Sequence, residues 1–102
     1  MIRRLLIPVE MGENVEVRVL DWFKAEGDRI ADGDALVELE TDKAIVLVTA
    51  KQAGVLRRQF VPAGEWLAAG QVAAWVSDEP DEPVPSARDA AAESLLASFE
   101  IT

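Results

Sequence analysis

The sequence predicts an all-β fold, two four-stranded antiparallel sheets packed face to face with pseudo-two-fold symmetry, followed by a short C-terminal helix. Three observations carry this expectation. Short runs rich in Val, Ile and Leu recur along the chain, each bounded by Gly, Asp, Asn or Pro, the pattern of strands between turns. Val15, Val17 and Val19 alternate with Glu16 and Arg18, the period of a half-buried strand. The third is an internal repeat. Shifted by 37 residues, Gly27-Asp28-Arg29-Ile30-Ala31-Asp32-Gly33-Asp34 falls on Gly64-Glu65-Trp66-Leu67-Ala68-Ala69-Gly70-Gln71. Both glycines, the acid, the aliphatic residue and the alanine recur without a gap. Two copies are too few for a solenoid, so two similar halves closing around one core is the natural solution.

The elements follow in order. Residues 3–9 form a first strand, and Glu10 to Asn14 a polar loop. Residues 15–23 are the alternating strand, closed by Trp22 and Phe23, which are expected in the core. The first copy of the repeat is a turn, a short apolar step and a second turn. It holds no phosphate-loop motif and precedes no helix, so phosphate binding is rejected. Residues 35–39 and 45–48 are two strands of a hairpin. Residues 55–61 and 72–76 are the last two long strands, separated by the second copy of the repeat.

Composition narrows the chemistry. The 102 residues fit one small domain. Cys, His and Tyr are absent, which removes disulfides, thiolate metal sites and the commonest general base. No metal site and no catalytic residue is expected. The net charge of −9 argues against a phosphate-backbone partner. The charge is uneven: residues 1–77 carry 12 acids and 9 bases, residues 78–102 carry 7 acids and 1 base. No stretch is apolar and long enough to span a bilayer, and the apolar run after Arg3-Arg4 stops at Pro8, too short for a signal sequence. A cytoplasmic location is expected, or the mitochondrial matrix in a eukaryote.

The hairpin turn is Glu40-Thr41-Asp42-Lys43-Ala44. Asp is the residue best suited to bond its own backbone there, Thr more weakly. Under the pseudo-two-fold, this turn lies at one pole of the sandwich and the ends of the repeat unit meet at the other. Lys43 is then held out at the far pole, open to a large partner.

These residues resemble the lipoyl domains of 2-oxo acid dehydrogenase complexes, in the family that also holds biotinyl domains. The turn residues 40–44 are similar almost letter for letter to that family's lipoylation site. Gly27 lies 16 residues before Lys43 and Gly54 lies 11 after it, as the family's spacing has it, and Asp21 to Asp28 is similar too. The resemblance covers residues 3–77 and implies a flattened barrel of two four-stranded sheets. It implies lipoic acid amide-linked to Lys43, with Asp42 and Ala44 flanking it, and Glu40, Thr41, Gly27 and Gly54 in structural or recognition roles. It also implies partners: a thiamine-diphosphate-dependent decarboxylase, an acyltransferase core, a dihydrolipoamide dehydrogenase and a lipoate ligase or lipoyl transferase. Departures occur at Val48-Thr49-Ala50-Lys51, where the family often has Val-Pro-Ser-Pro, and at Pro62-Ala63-Gly64-Glu65. A biotinyl carrier shares the fold but usually carries Met-Lys-Met. An unmodified adaptor of the same fold is the alternative from another class.

The expected organisation is a lipoyl domain over 1–77, an acidic Pro-rich linker over 78–85, and an amphipathic helix over 86–102. Ser86 reads as an N-cap, and Ala92, Leu95, Leu96 and Phe99 fall on one helical face. Such a helix is marginal alone; it would be the start of a subunit-binding domain or a docking tail.

Overall fold

A computed structural model describes residues 1–7, 16–84 and 93–101. Ten strands account for its regular structure: β1 (Ile2–Leu6), β2 (Glu16–Trp22), β3 (Arg29–Ile30), β4 (Ala35–Glu40), β5 (Ile45–Ala50), β6 (Gly54–Gln59), β7 (Trp66–Ala68), β8 (Val72–Ser77), β9 (Glu93–Ser94) and β10 (Ala97–Ile101). They form two sheets, ordered β3-β6-β8-β1-β9 and β10-β5-β4-β2-β7. β2 and β5 bury alternate residues between the sheets, and β8 is buried along its whole length. Leu5 and Ile7, Val17 and Val19, Leu39, Val46 and Val48, Leu56, Leu67, Ala74 and Val76 all lie in one core. The all-β expectation therefore holds, with each sheet one strand wider than four.

The repeat is a symmetry of the fold. A shift of 37 residues carries β2, β3 and β4 onto β6, β7 and β8. Hydrogen bonds obey it: Gly27 N–H donates to Leu56 C=O and Gly64 N–H to Val19 C=O, both at 2.7 Å. In return Leu56 N–H donates to Asp28 C=O and Val19 N–H to Glu65 C=O, both at 2.9 Å. Each half's turn is thus tied to a strand of the other half. Gly27 and Gly64 share φ values of 96° and 93°, a region that side chains rarely enter. This is why glycine stands at both places.

The C-terminal helix is a correction. Residues 93–94 and 97–101 are strands, not helix; residues 86–92 lie outside the described residues. The tail first runs parallel to β1, Arg3 opposite Glu93, then turns antiparallel to β5, Ala97 opposite Ala50 and Ile101 opposite Val46. Leu95, at the crossing, is buried and its N–H donates to Arg4 C=O. The physical reason is the edges. Without the tail, β1 and β5 present rows of unpaired N–H and C=O groups. Pairing there satisfies the tail's own backbone at once, which a lone helix of this length does only marginally.

The acidic stretch after β8 is folded back. Asp78 pairs with Arg3, and both Asp78 and Glu82 face the N-terminal ammonium. Val84 packs against the Val72–Trp75 cluster. Trp22 is half-buried and donates its indole N–H to Val61 C=O at 2.9 Å. Phe23, expected in the core, is instead exposed. It follows Trp22 on the opposite parity of the strand, so one of the two has to face solvent.

Asp34 gives a pH prediction. Its carboxylate accepts from Ala31 N–H at 2.9 Å and sits 3.2 Å from Lys24 Nζ. The backbone donor first, and Lys24 second, hold this carboxyl below its ordinary value of 3.8. A depressed folded-state value contributes stability above the unfolded value, and that contribution disappears as pH falls through the folded one. Asp34→Asn is therefore expected to unfold over a less steep pH range below about 4 than the parent. Acid titration followed by circular dichroism checks it.

Candidate functional site

The β4–β5 turn is built by Thr41. Glu40 lies opposite Ile45 in the ladder. Thr41 N–H donates to Ala44 C=O at 2.8 Å. The Thr41 hydroxyl donates to the same carbonyl at 3.0 Å, and accepts from Ala44 N–H at 3.0 Å and Lys43 N–H at 3.2 Å. One side chain thus bonds three backbone groups of the tip. Asp was expected to do this. Asp42 is instead exposed at the tip, and no hydrogen bond or ion pair involves its carboxylate among the described residues. The threonine is better placed because its hydroxyl both donates and accepts, whereas an ionised carboxylate only accepts.

Lys43 is exposed beside Asp42, and its ammonium enters no ion pair among the described residues. Lys24, by contrast, is held by Asp34. Ala44 is half-buried, and its N–H and C=O both serve the turn. Glu40 lies 4.0 Å from Arg18 on the neighbouring strand, with both side chains more than 40% exposed (44% and 41%). A pair so exposed contributes little to stability. Thr41→Val keeps the shape but leaves Ala44 N–H without its side-chain acceptor. We expect a loss of about 1 kcal/mol and faster amide exchange at Lys43 and Ala44, read by hydrogen-exchange NMR.

Gly27 and Gly54 lie away from the turn and have different reasons to be glycine. Gly27 requires its φ of 96°, and nothing lies within 4 Å of where a side chain would start. Gly54 has no such conformation. A Cβ there would stand 2.5 Å from Val76 Cγ1 and 2.8 Å from Ser77 O. It is glycine for space, so that β6 can close against β8, and not for conformation.

Two residues near the turn escaped the sequence reading. Arg18 lies opposite Glu40 on one side and Trp66 on the other. Trp66 is 55% exposed. The repeat held the available signal: one of its two variable positions is Arg29 in one copy and Trp66 in the other. Among the described residues no group of acidic side chains is arranged to hold a metal, and no helix is long and apolar enough to cross a membrane.

Two interlocked sheets hold Lys43, exposed and in no ion pair among the described residues, at the tip of a tight turn, an arrangement that suits a carrier domain. The comparisons give the family. Residues 7–75 match the biotin_lipoyl family model, described as "Biotin-requiring enzyme", and the chain belongs to that family. It is 32% identical over 90 residues to the dihydrolipoyllysine-residue succinyltransferase component of the 2-oxoglutarate dehydrogenase complex of Bacillus subtilis, covering 84% of this chain and 22% of that protein. It is 40% identical over 84 residues to the dihydrolipoyllysine-residue acetyltransferase component of the acetoin cleaving system of Pseudomonas putida, covering 82% and 22%. It is 38% identical over 61 residues to the corresponding component of the pyruvate dehydrogenase complex of Rickettsia bellii, covering 60% and 15%. The chain spans about a fifth of the length of the first two of these relatives (22% in each).

Proposed function

We propose that this domain carries lipoic acid, amide-linked to Lys43, as a swinging arm within a 2-oxo acid dehydrogenase complex. The observation that carries the reading is the turn itself: an exposed lysine whose backbone is fixed by Thr41 while its side chain is left free. Such a residue suits the bound group. A ligase needs the amine unpaired and reachable, and the acylated arm needs a rigid base from which to sweep. When bound, the dithiolane would supply acyl and electron transfer; the chain's own part is placement. From standard bond lengths the extended lysine and lipoyl chain reaches roughly 14 Å. Tethering raises the effective concentration of the carried group at each client.

Asp42 and Ala44 are proposed to mark the lysine for the modifying and client enzymes. Asp42 suits this because its carboxylate serves no internal purpose among the described residues. Glu40 and Thr41 frame the turn; Gly27 and Gly54 hold the scaffold behind it. The proposed clients are a thiamine-diphosphate-dependent decarboxylase, an acyltransferase core and a dihydrolipoamide dehydrogenase, with a lipoate ligase or lipoyl transferase for modification. Residues 1–77 are proposed as the carrier unit, with 78–85 as the acidic linker between it and the tail strands β9 and β10 that pair onto its sheets. The lipoyl form is preferred to the biotinyl form because Asp42 and Ala44 flank the lysine, where biotinyl domains usually have methionines.

The test is acylation. The lipoylated domain is mixed with decarboxylases for pyruvate, 2-oxoglutarate and branched-chain 2-oxo acids, each with its substrate. Gain of one acyl group on the arm, measured by mass, supports the reading and names the complex. A lipoylated, folded domain that accepts no acyl group from any of them contradicts it.

A further inference from the structure

We propose that the outer face of the lysine-bearing sheet holds a resting site for the arm itself, with Trp66 as its floor. The ligand class is a cyclic disulfide on an aliphatic chain. This inference rests on the lipoyl reading of Lys43.

The argument starts from a row of cross-strand partners. Ile45 lies opposite Glu40, Glu40 opposite Arg18, and Arg18 opposite Trp66. Directly paired residues project to the same face of a sheet. All four are at least partly exposed, so this row lies on the outer face, immediately behind the lysine turn. Ile45 and Trp66, its two apolar ends, are 37% and 55% exposed. An open groove runs beside Trp66, bordered by Phe60, Val61, Pro62, Leu67 and Gln71.

The symmetry of the fold supplies a comparison within the molecule. The equivalent row at the opposite pole is Ile2, Ser77, Val55 and Arg29. There Ser77 and Val55 are buried, and the row ends on an arginine. At the lysine pole the row is uncovered and ends on a tryptophan. A tryptophan with more than half its surface in water is exposed beyond what is usual for this residue, which is highly buried on average. Its difference from Arg29 falls on the one sheet that carries Lys43.

Reach permits the contact. Three strand spacings separate the columns of Ile45 and Trp66, about 14 Å. The turn bridges β4 and β5, so Lys43 starts roughly half a spacing nearer. An arm of roughly 14 Å therefore lays its dithiolane on the indole. Sulfur against an aromatic ring is a favourable contact, and the aliphatic part of the arm crosses the stems of Arg18 and Glu40, which can cover apolar surface while their charged ends stay in water.

The experiment exploits the absence of cysteine. Lys43→Cys provides a unique thiol. One sample is alkylated with a haloacetamide that ends in a dithiolane at lipoyl-lysine length, the other with iodoacetamide. Tryptophan emission and the three indole N–H resonances are recorded for both. A docked disulfide quenches the exposed indole, so emission is expected to fall by about half of the Trp66 share or more, as a sulfur–ring contact holds the arm down most of the time. The Trp66 N–H resonance should shift while those of Trp22 and Trp75 stay, and in Trp66→Leu the tether-dependent drop should vanish. Equal emission and an unshifted Trp66 signal in the two adducts would overturn the proposal, as would a drop that persists in Trp66→Leu. Because the tether is chemical, a failure of enzymatic lipoylation on the natural chain would count against the carrier reading alone.

Discussion

Gly54→Ala should be the most damaging single-methyl change in the domain. The added Cβ would sit 2.5 Å from Val76 Cγ1 and 2.8 Å from Ser77 O. The valine is buried in the core and the carbonyl is backbone, so neither can swing aside. β6 and β8 would have to part, which strains the ladder from Val55–Ser77 onward. Overpacking of this kind costs about 3 kcal/mol. For a domain of this size that lowers Tm by about 15 °C. The control is Gly27→Ala, where space is open and only backbone strain opposes the substitution; about 1 kcal/mol is expected there. Thermal melts by circular dichroism separate the two. Equal losses would mean that Gly54, like Gly27, is kept for conformation.

Lys43→Arg should abolish modification and leave the fold untouched. Arginine keeps the charge and much of the length, but its guanidinium does not form the stable amide that a lysine amine forms. Lys43 is exposed, enters no ion pair among the described residues, and contributes only its N–H to the turn. A surface change of this kind stays within about 0.5 kcal/mol. The expected result is complete loss of the attached group with an unchanged melting curve. A marked loss of stability would show that the side chain has a structural role at the tip.

Much of the fold was legible because two independent periodicities agreed. Alternation in residues 15–23 predicted which face is buried, and Val17 and Val19 are indeed fully covered. The 37-residue repeat predicted the pseudo-two-fold that exchanges the Gly27 and Gly64 turns. The tail was misread for a reason intrinsic to its pattern. Leu95, Leu96 and Phe99 suit a helical face, but Leu95, Ala97, Phe99 and Ile101 alternate equally well, and short apolar runs do not distinguish the two. What decides is tertiary: the open edges of β1 and β5.

The strand pattern placed the turn between β4 and β5 but not the residue that builds it. Aspartate is the stronger turn former on average, yet Thr41 holds the tip because it can accept two N–H groups and donate to a carbonyl from one atom. The reason for Gly54 was not legible, since no sequence pattern distinguishes a need for φ from a need for space. The row from Ile45 to Trp66 draws on three separate strand pairings, two of them between strands that are not consecutive, and none is visible until the strands are aligned.

The central claim is that Lys43 accepts lipoate because the turn frees it. Its most direct test is the intact mass of the domain after treatment with lipoic acid, ATP and a lipoate ligase, followed by peptide mapping over its three lysines, Lys24, Lys43 and Lys51. The account predicts a gain of one lipoyl group, all of it on Lys43, and no gain in Lys43→Arg. A folded domain that gains nothing from an active ligase, or gains the group on Lys24 or Lys51, would contradict it. A gain only with biotin and a biotin ligase would keep the carrier and replace its cargo.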